Sequence, residues 1–274
     1  MRLRIGTELR YHFNAPTPMV AMLNTHPELS HLLEQPDWLM TDPYVPVSSY
    51  RDMFGNICCR LVAPPGAFRL VTDSVIYDDG LPDPIDGTAI QHAVEDLPDE
   101  AITFLLPSRY CESDILSEEA WRRFGAMQPG WARVQAIVDF VNGYLAFDYQ
   151  QASVFRTAAD AWRWRIGVCR DFAHLAIAFC RALNIPTRYC TGYISDVGEP
   201  PPYPPMDLAA WMEVYLGGRW HVFDPRNNRR RIGRVLMARG RDAADVPLTH
   251  TFGFNILTGF HVTTHEIRQP AVAA

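Results

Sequence analysis

Residues 1–13, MRLRIGTELRYHF, alternate polar and apolar side chains, and residues 67–79, AFRLVTDSVIYDD, do the same. A period of two carried by β-branched and aromatic residues predicts half-buried strands. Proline and glycine punctuate the runs, in APPGA ahead of the second and DDGLPDPIDG behind it. After residue 112 the period changes. Ser117 is a candidate N-cap for SEEAWRRFGAM, and beyond Pro129 the positions Val134, Ile137, Val138, Val141 and Leu145 recur at helical spacing. Thr157 precedes another short helical stretch, AADAWRWR. From Cys169 the residues Phe172, Leu175, Ala176, Phe179 and Leu183 lie on one helical face, Asn184 suits the C-cap, and Pro186 stops continuation. TRYCTGYI and NILTGFHVTTHEI read as strands. The pattern predicts a β-rich domain over residues 1–112. A second domain follows over 113–274, helices first and strands after, with the C-terminal strands included. The fold class is α+β.

Residues 209–224, AAWMEVYLGGRWHVFD, carry the strongest hairpin signal, because Gly217-Gly218 suits a two-residue primed turn. Such a turn fixes the register. Leu216 faces Arg219, Val214 faces His221, and Trp211 comes opposite Asp224. Ala209 then shares a face with Trp211 and Asp224, one diagonal step from the carboxylate. His221 falls on the other face.

Composition narrows the functional classes. The chain has 274 residues, 48% apolar and 20% charged, with a net charge of −6. That balance argues against a nucleic-acid partner, whose binding domains are basic, and Arg229-Arg230-Arg231 is too short for a phosphate track. No run approaches the 18 apolar residues of a membrane span, and the first residues lack the apolar core of a secretory signal. The six cysteines form no CxxC pair, so free thiols in a reducing cytoplasm are expected. His261 and His265 have ligand spacing only on a helix, while HVTTH favours a strand. We therefore expect no metal, and no cofactor.

The chemistry centres on Cys169, which follows Gly167-Val168 and opens a helix. A thiol at a helix N-terminus feels the positive end of the dipole, which can lower its pKa from about 8.5 to between about 3.5 and 7.5. Asp171, in the first turn, is suited to cap the helix. The Cys169 N–H is the best oxyanion donor that the sequence offers. Trp162, Trp164, Trp211 and Tyr193 are candidates for a substrate groove, with internal packing as the competing role for the tryptophans. His174, five positions after the cysteine, suits packing. The histidines at 12, 26, 31, 92, 250, 261 and 265 lie outside the motif segments, and any of them could fold over the cleft as a remote base.

The segment GVCRDFAHLAIAFCRALNIPTRYCTGYI, followed by AAWMEVYLGGRWHVFDPRNN, resembles the core of bacterial transglutaminase-like proteins. These are read as cysteine proteases of the transglutaminase superfamily. The first 112 residues resemble the β domain that precedes this core. The resemblance implies a papain-like core with a Cys-His-Asp triad that transfers acyl groups from amides of peptides or proteins to water or an amine. Carried over by motif, the nucleophile is Cys169 and the orienting carboxylate is Asp224. The family's histidine, immediately before Ala-Trp, is here Ala209. Two classes follow: a hydrolase or acyltransferase with an incomplete triad, or an inactive module that binds a peptide or protein in the cleft. The stretch DLAAW reads the same whether the alanine is natural or introduced.

Overall fold

The computed structural model describes residues 1–203 and 207–267. Six strands come first: β1 (Arg2–Phe13), β2 (Thr17–Ala21), β3 (Met40–Asp42), β4 (Ser48–Arg51), β5 (Ile57–Ala63) and β6 (Gly66–Tyr77). A largely irregular stretch with the short helix α1 (Asp99–Ile102) leads to α2 (Ser117–Phe124) and α3 (Trp131–Tyr144). Then come β7 (Ala146–Phe147), α4 (Ala158–Trp164), β8 (Ile166–Gly167) and α5 (Cys169–Ala182). The chain ends in β9 (Thr187–Ile194), β10 (Ala209–Leu216), β11 (Arg219–Phe223), β12 (Arg234–Gly240), β13 (Thr249–Thr251) and β14 (Asn255–Glu266).

The strands build three four-stranded sheets, ordered β14-β1-β6-β3, β13-β2-β5-β4 and β11-β10-β9-β12. The first two share a core of alternating inward residues, among them Leu3, Ile5, Leu9, Met19, Leu61, Phe68, Leu70 and Ile76. The third sheet packs its Ala210, Met212, Val214 and Leu216 face on α5, with α3 behind, around Val134, Ile137, Phe172, Ile177 and Phe179. This is an α+β architecture with antiparallel sheets, as the pattern predicts.

Local signals and structure agree closely in the hairpin. Leu216 faces Arg219, Val214 faces His221, and Gly217 and Gly218 have φ of 58° and 83°, the left-handed pair of a type I′ turn. Asn184 (φ 60°) ends α5 in the left-handed region. Ser117 is the first residue of α2 rather than its cap, which is Leu116.

Long-range pairing follows a different division from residue 112. β14 is hydrogen-bonded along the whole of β1, and β13 pairs with β2, so the last strands complete the first two sheets. Conversely, Ala89 and Cys111 already pack in the core around α5. The units are also tied directly. The Asn56 amide donates to the Arg239 carbonyl (2.8 Å) and accepts from the Arg239 N–H (2.9 Å), and the Thr7 and Tyr193 hydroxyls bond at 2.8 Å.

Candidate active site

Helix α5 begins abruptly because its first turn is clamped. The Asp171 carboxylate accepts the Val168 N–H (2.9 Å) and pairs with the buried Arg156 guanidinium (3.1 Å). Gly167 lies so close that a Cβ there would come within 2.6 Å of the Asp171 Cβ. Glycine is therefore required by space. These contacts set Cys169 as the first helical residue, where it lines a pocket of about 120 Å³. Phe147, Tyr149, Asp207, Ala209, Arg226 and Asn227 share the lining.

Backbone N–H groups of Ala210 and Arg170 point at the sulfur and favour its anion. They do not dominate. Burial, then the charge of Asp207, push the Cys169 thiol up to about 11. The sequence-based expectation of a thiol lowered by the helix terminus is reversed, because a first-turn N–H acts on a thiol that is also desolvated. Asp207 is itself half-buried, and burial raises its carboxyl above the usual range. The Tyr149 hydroxyl donates to Asp207 and is held protonated, up to about 12, by burial and the charges of Asp207 and Cys169.

Asp224 is not among the residues that line the pocket, but its charge also acts on the Cys169 sulfur. It accepts from the Asn227 N–H and side-chain amide, both at 2.9 Å, and pairs with Arg234 at 3.0 Å. Arg234 also holds Asp83 (3.0 Å) and lies over the Trp211 ring at 4.7 Å. Ala209 lines the pocket and pairs with Gly192 in the neighbouring strand.

Among the described residues no histidine lines this pocket. His221 bonds the Leu216 carbonyl (3.1 Å) and packs edge-on to Trp131, on the far face of the hairpin. His174 is buried, accepts the Ala243 N–H (3.2 Å) and stacks on Tyr110. His261 and His265 lie on β14, opposite Glu8 and Arg4 of β1. Among the described residues no group of three or more His, Cys, Asp or Glu side chains is placed to hold a metal ion.

The four aromatic groove candidates do not meet at the pocket. Trp162 packs on Tyr144 and Phe140, and Trp164 is exposed beside Arg156. Trp211 is fully buried beneath Arg234, and Tyr193 is buried against Thr7. Cys169 and Ala209 line the pocket as the motifs imply, while its other polar lining residues carry little signal in the sequence. Asp207 sits in a proline-rich stretch two positions before Ala209, and Arg226-Asn227 follow Asp224 after a single proline, Pro225.

A family model described as the transglutaminase-like superfamily matches residues 120–225. The crystal structure of a protein from Cytophaga hutchinsonii, described there as a "putative cysteine protease", superposes with a TM-score of 0.84 at 30% identity. It covers 98% of this chain and 92% of that one. An uncharacterised protein of Mycobacterium tuberculosis is 31% identical over 224 residues, 73% of this chain and 70% of its own length. One from Mycobacterium leprae is 26% identical over 72% of each.

Proposed function

The chain belongs to the transglutaminase-like superfamily, and on that premise we propose that it is a thiol-dependent hydrolase or acyltransferase acting on amide bonds of peptides or proteins. Cys169 is the nucleophile, and Ala209 stands at the family's histidine position. The observation that carries this reading is Cys169 itself, the first residue of a clamped helix, opening into a pocket with two backbone N–H groups aimed at its sulfur. In the reaction the sulfur loses its proton and bonds to the carbonyl carbon. The C–N bond breaks, and the amine leaves with a proton. The thioester then passes its acyl group to water or to an amine. The N–H groups near the sulfur suit the oxyanion of each tetrahedral intermediate. Six free cysteines fit a reducing compartment, and we assign the protein to the cytoplasm on that basis. No helix among the described residues is long and apolar enough to cross a membrane.

One observation favours a second reading, a cleft that binds peptide without turnover: the thiol is pushed up to about 11 with no imidazole in the pocket. Incubation with a p-nitrophenyl acyl ester, followed by intact and peptide mass spectrometry, separates the two. The enzyme reading expects an acyl adduct on Cys169 that turns over and is absent in Cys169→Ala. An unlabelled Cys169 leaves the binding module.

A further inference from the structure

If Cys169 transfers acyl groups, its proton must go somewhere, and no histidine is there to take it. The other titratable groups around the pocket are Tyr149, Asp196, Asp207, Arg226 and Arg231. A guanidinium offers five N–H donors and no acceptor, so the arginines cannot take the proton. Asp196 faces Arg231 at 3.4 Å. Tyr149 already spends its proton on Asp207. Asp224, outside the lining, has Asn227 on each oxygen and Arg234 on one. Asp207 differs from all of these. It lines the pocket, its charge acts on the Cys169 sulfur more strongly than that of Asp224, and no ion pair engages it among the described residues. Its neighbours are the Leu208 N–H (2.7 Å) and the Tyr149 hydroxyl.

We infer that Asp207 is the proton carrier of this pocket, with Tyr149 as its positioning residue. Asp207 takes the Cys169 proton as the sulfur attacks and gives it to the departing amine. It then takes a proton from the water that attacks the thioester and returns it to the sulfur. The inference rests on the thiol reading above and deepens it.

The charge balance supports the assignment. Losing the thiol proton beside an ionised Asp207 would put two negative charges in one small pocket. Moving that proton onto Asp207 keeps a single negative charge throughout, so the two groups titrate as a pair. Burial of the Asp207 carboxyl acts in the same direction, bringing it toward the pH at which an acid–base group works best.

The test compares Asp207→Asn, Asp207→Glu and Cys169→Ala on a p-nitroanilide and the p-nitrophenyl ester of the same acyl group. Iodoacetamide labelling of Cys169 at pH 7.5 is measured alongside, with circular dichroism to verify folding. In Asp207→Asn the repulsive charge is gone, so labelling rises, while anilide turnover falls about 100-fold or more. Ester turnover falls less, because nitrophenolate leaves without a proton, and Asp207→Glu regains part of the anilide rate. These opposite signs are what a merely structural role cannot give. The inference is overturned if Asp207→Asn keeps anilide turnover within about threefold, which is far below the effect of a lost acid–base group. It is also overturned if labelling and turnover fall together. Anilide turnover that survives in Cys169→Ala, or is absent from the parent protein, overturns the thiol reading and this inference with it. That outcome is distinct from an Asp207 failure, in which Cys169→Ala is inactive and the parent is not.

Discussion

Placing a histidine at position 209 gives a quantitative test of the site. Ala209 and Cys169 line one pocket, and the thiol stands at about 11. At pH 7.5 the thiolate fraction is then roughly 3 × 10⁻⁴. An imidazolium beside a protein thiol lowers its pKa to about 7.5 or below. At 7.5 half of the sulfur is ionised, a gain of roughly 1,600-fold in thiolate. Lower basicity weakens the nucleophile. With a Brønsted slope of about 0.45, a fall of about 3.5 pKa units takes back roughly 40-fold. Ala209→His should therefore react with a neutral aromatic disulfide about 40-fold faster at Cys169 than the parent does. The assay follows the released thione by absorbance and locates the mixed disulfide by peptide mass spectrometry. Buried Cys111, Cys180 and Cys190, whose thiols are raised by desolvation, are internal controls. A rate within threefold of the parent would refute the juxtaposition of residue 209 with the sulfur on which the site assignment depends.

Arg234→Met leaves the buried Asp224 carboxylate without its cation and removes the same cation from Asp83, so urea unfolding at pH 7 should show a loss of about 3–5 kcal/mol. A loss under about 1 kcal/mol would mean that the pair is not buried as described. Burial lowers the pKa of both His26 and His174, whereas the unfolded chain takes up their protons below about 6.5. Their contribution to stability is complete above pH 6.5 and is lost as pH falls. Between pH 6.5 and 5.5 stability should drop by up to about 1.4 kcal/mol per unit for each histidine. His174→Gln should remove its share of that slope in urea titrations across the window, and an unchanged slope would show that His174 takes up no proton on unfolding.

Short-range features of this fold are legible in the sequence, and each has a local cause. The 209–224 hairpin follows from Gly217-Gly218, because a two-residue turn leaves one register, and that register puts His221 away from the pocket. The start of α5 follows from Gly167 and Asp171, which clamp the first turn. The return of β14 to β1 is not legible, since its partner lies some 250 positions away and alternation records only which face is inward. Depth is missing for the same reason. A helix start is written in the residues around Cys169, while the burial that raises its thiol comes from the elements packed around it. Tryptophans near the motif suit a groove by sequence, but Trp211 is buried and Trp162 packs against the helical core, and the lone carboxylate of Asp207 has no spacing that would mark it.

Ala209 and Arg234 make sense together. A buried carboxylate without a hydrogen-bonding or charged partner is costly. With alanine at 209 no imidazole can satisfy Asp224, and Arg234 and Asn227 take its oxygens instead. Arg234 is in turn anchored by Asp83 and by the Trp211 ring, so it will not yield Asp224 readily. This separates two effects of a restored histidine. Lowering the thiol pKa needs only a positive charge at short range, and that charge acts whichever way the ring is turned. Proton transfer needs a hydrogen bond of fixed direction, which a carboxylate on the second ring nitrogen normally provides. Thiol reactivity in Ala209→His should therefore rise even while Asp224 stays bound to Arg234. Amide turnover should gain only as far as Asp207, the carboxylate already in the pocket, can hold the new ring.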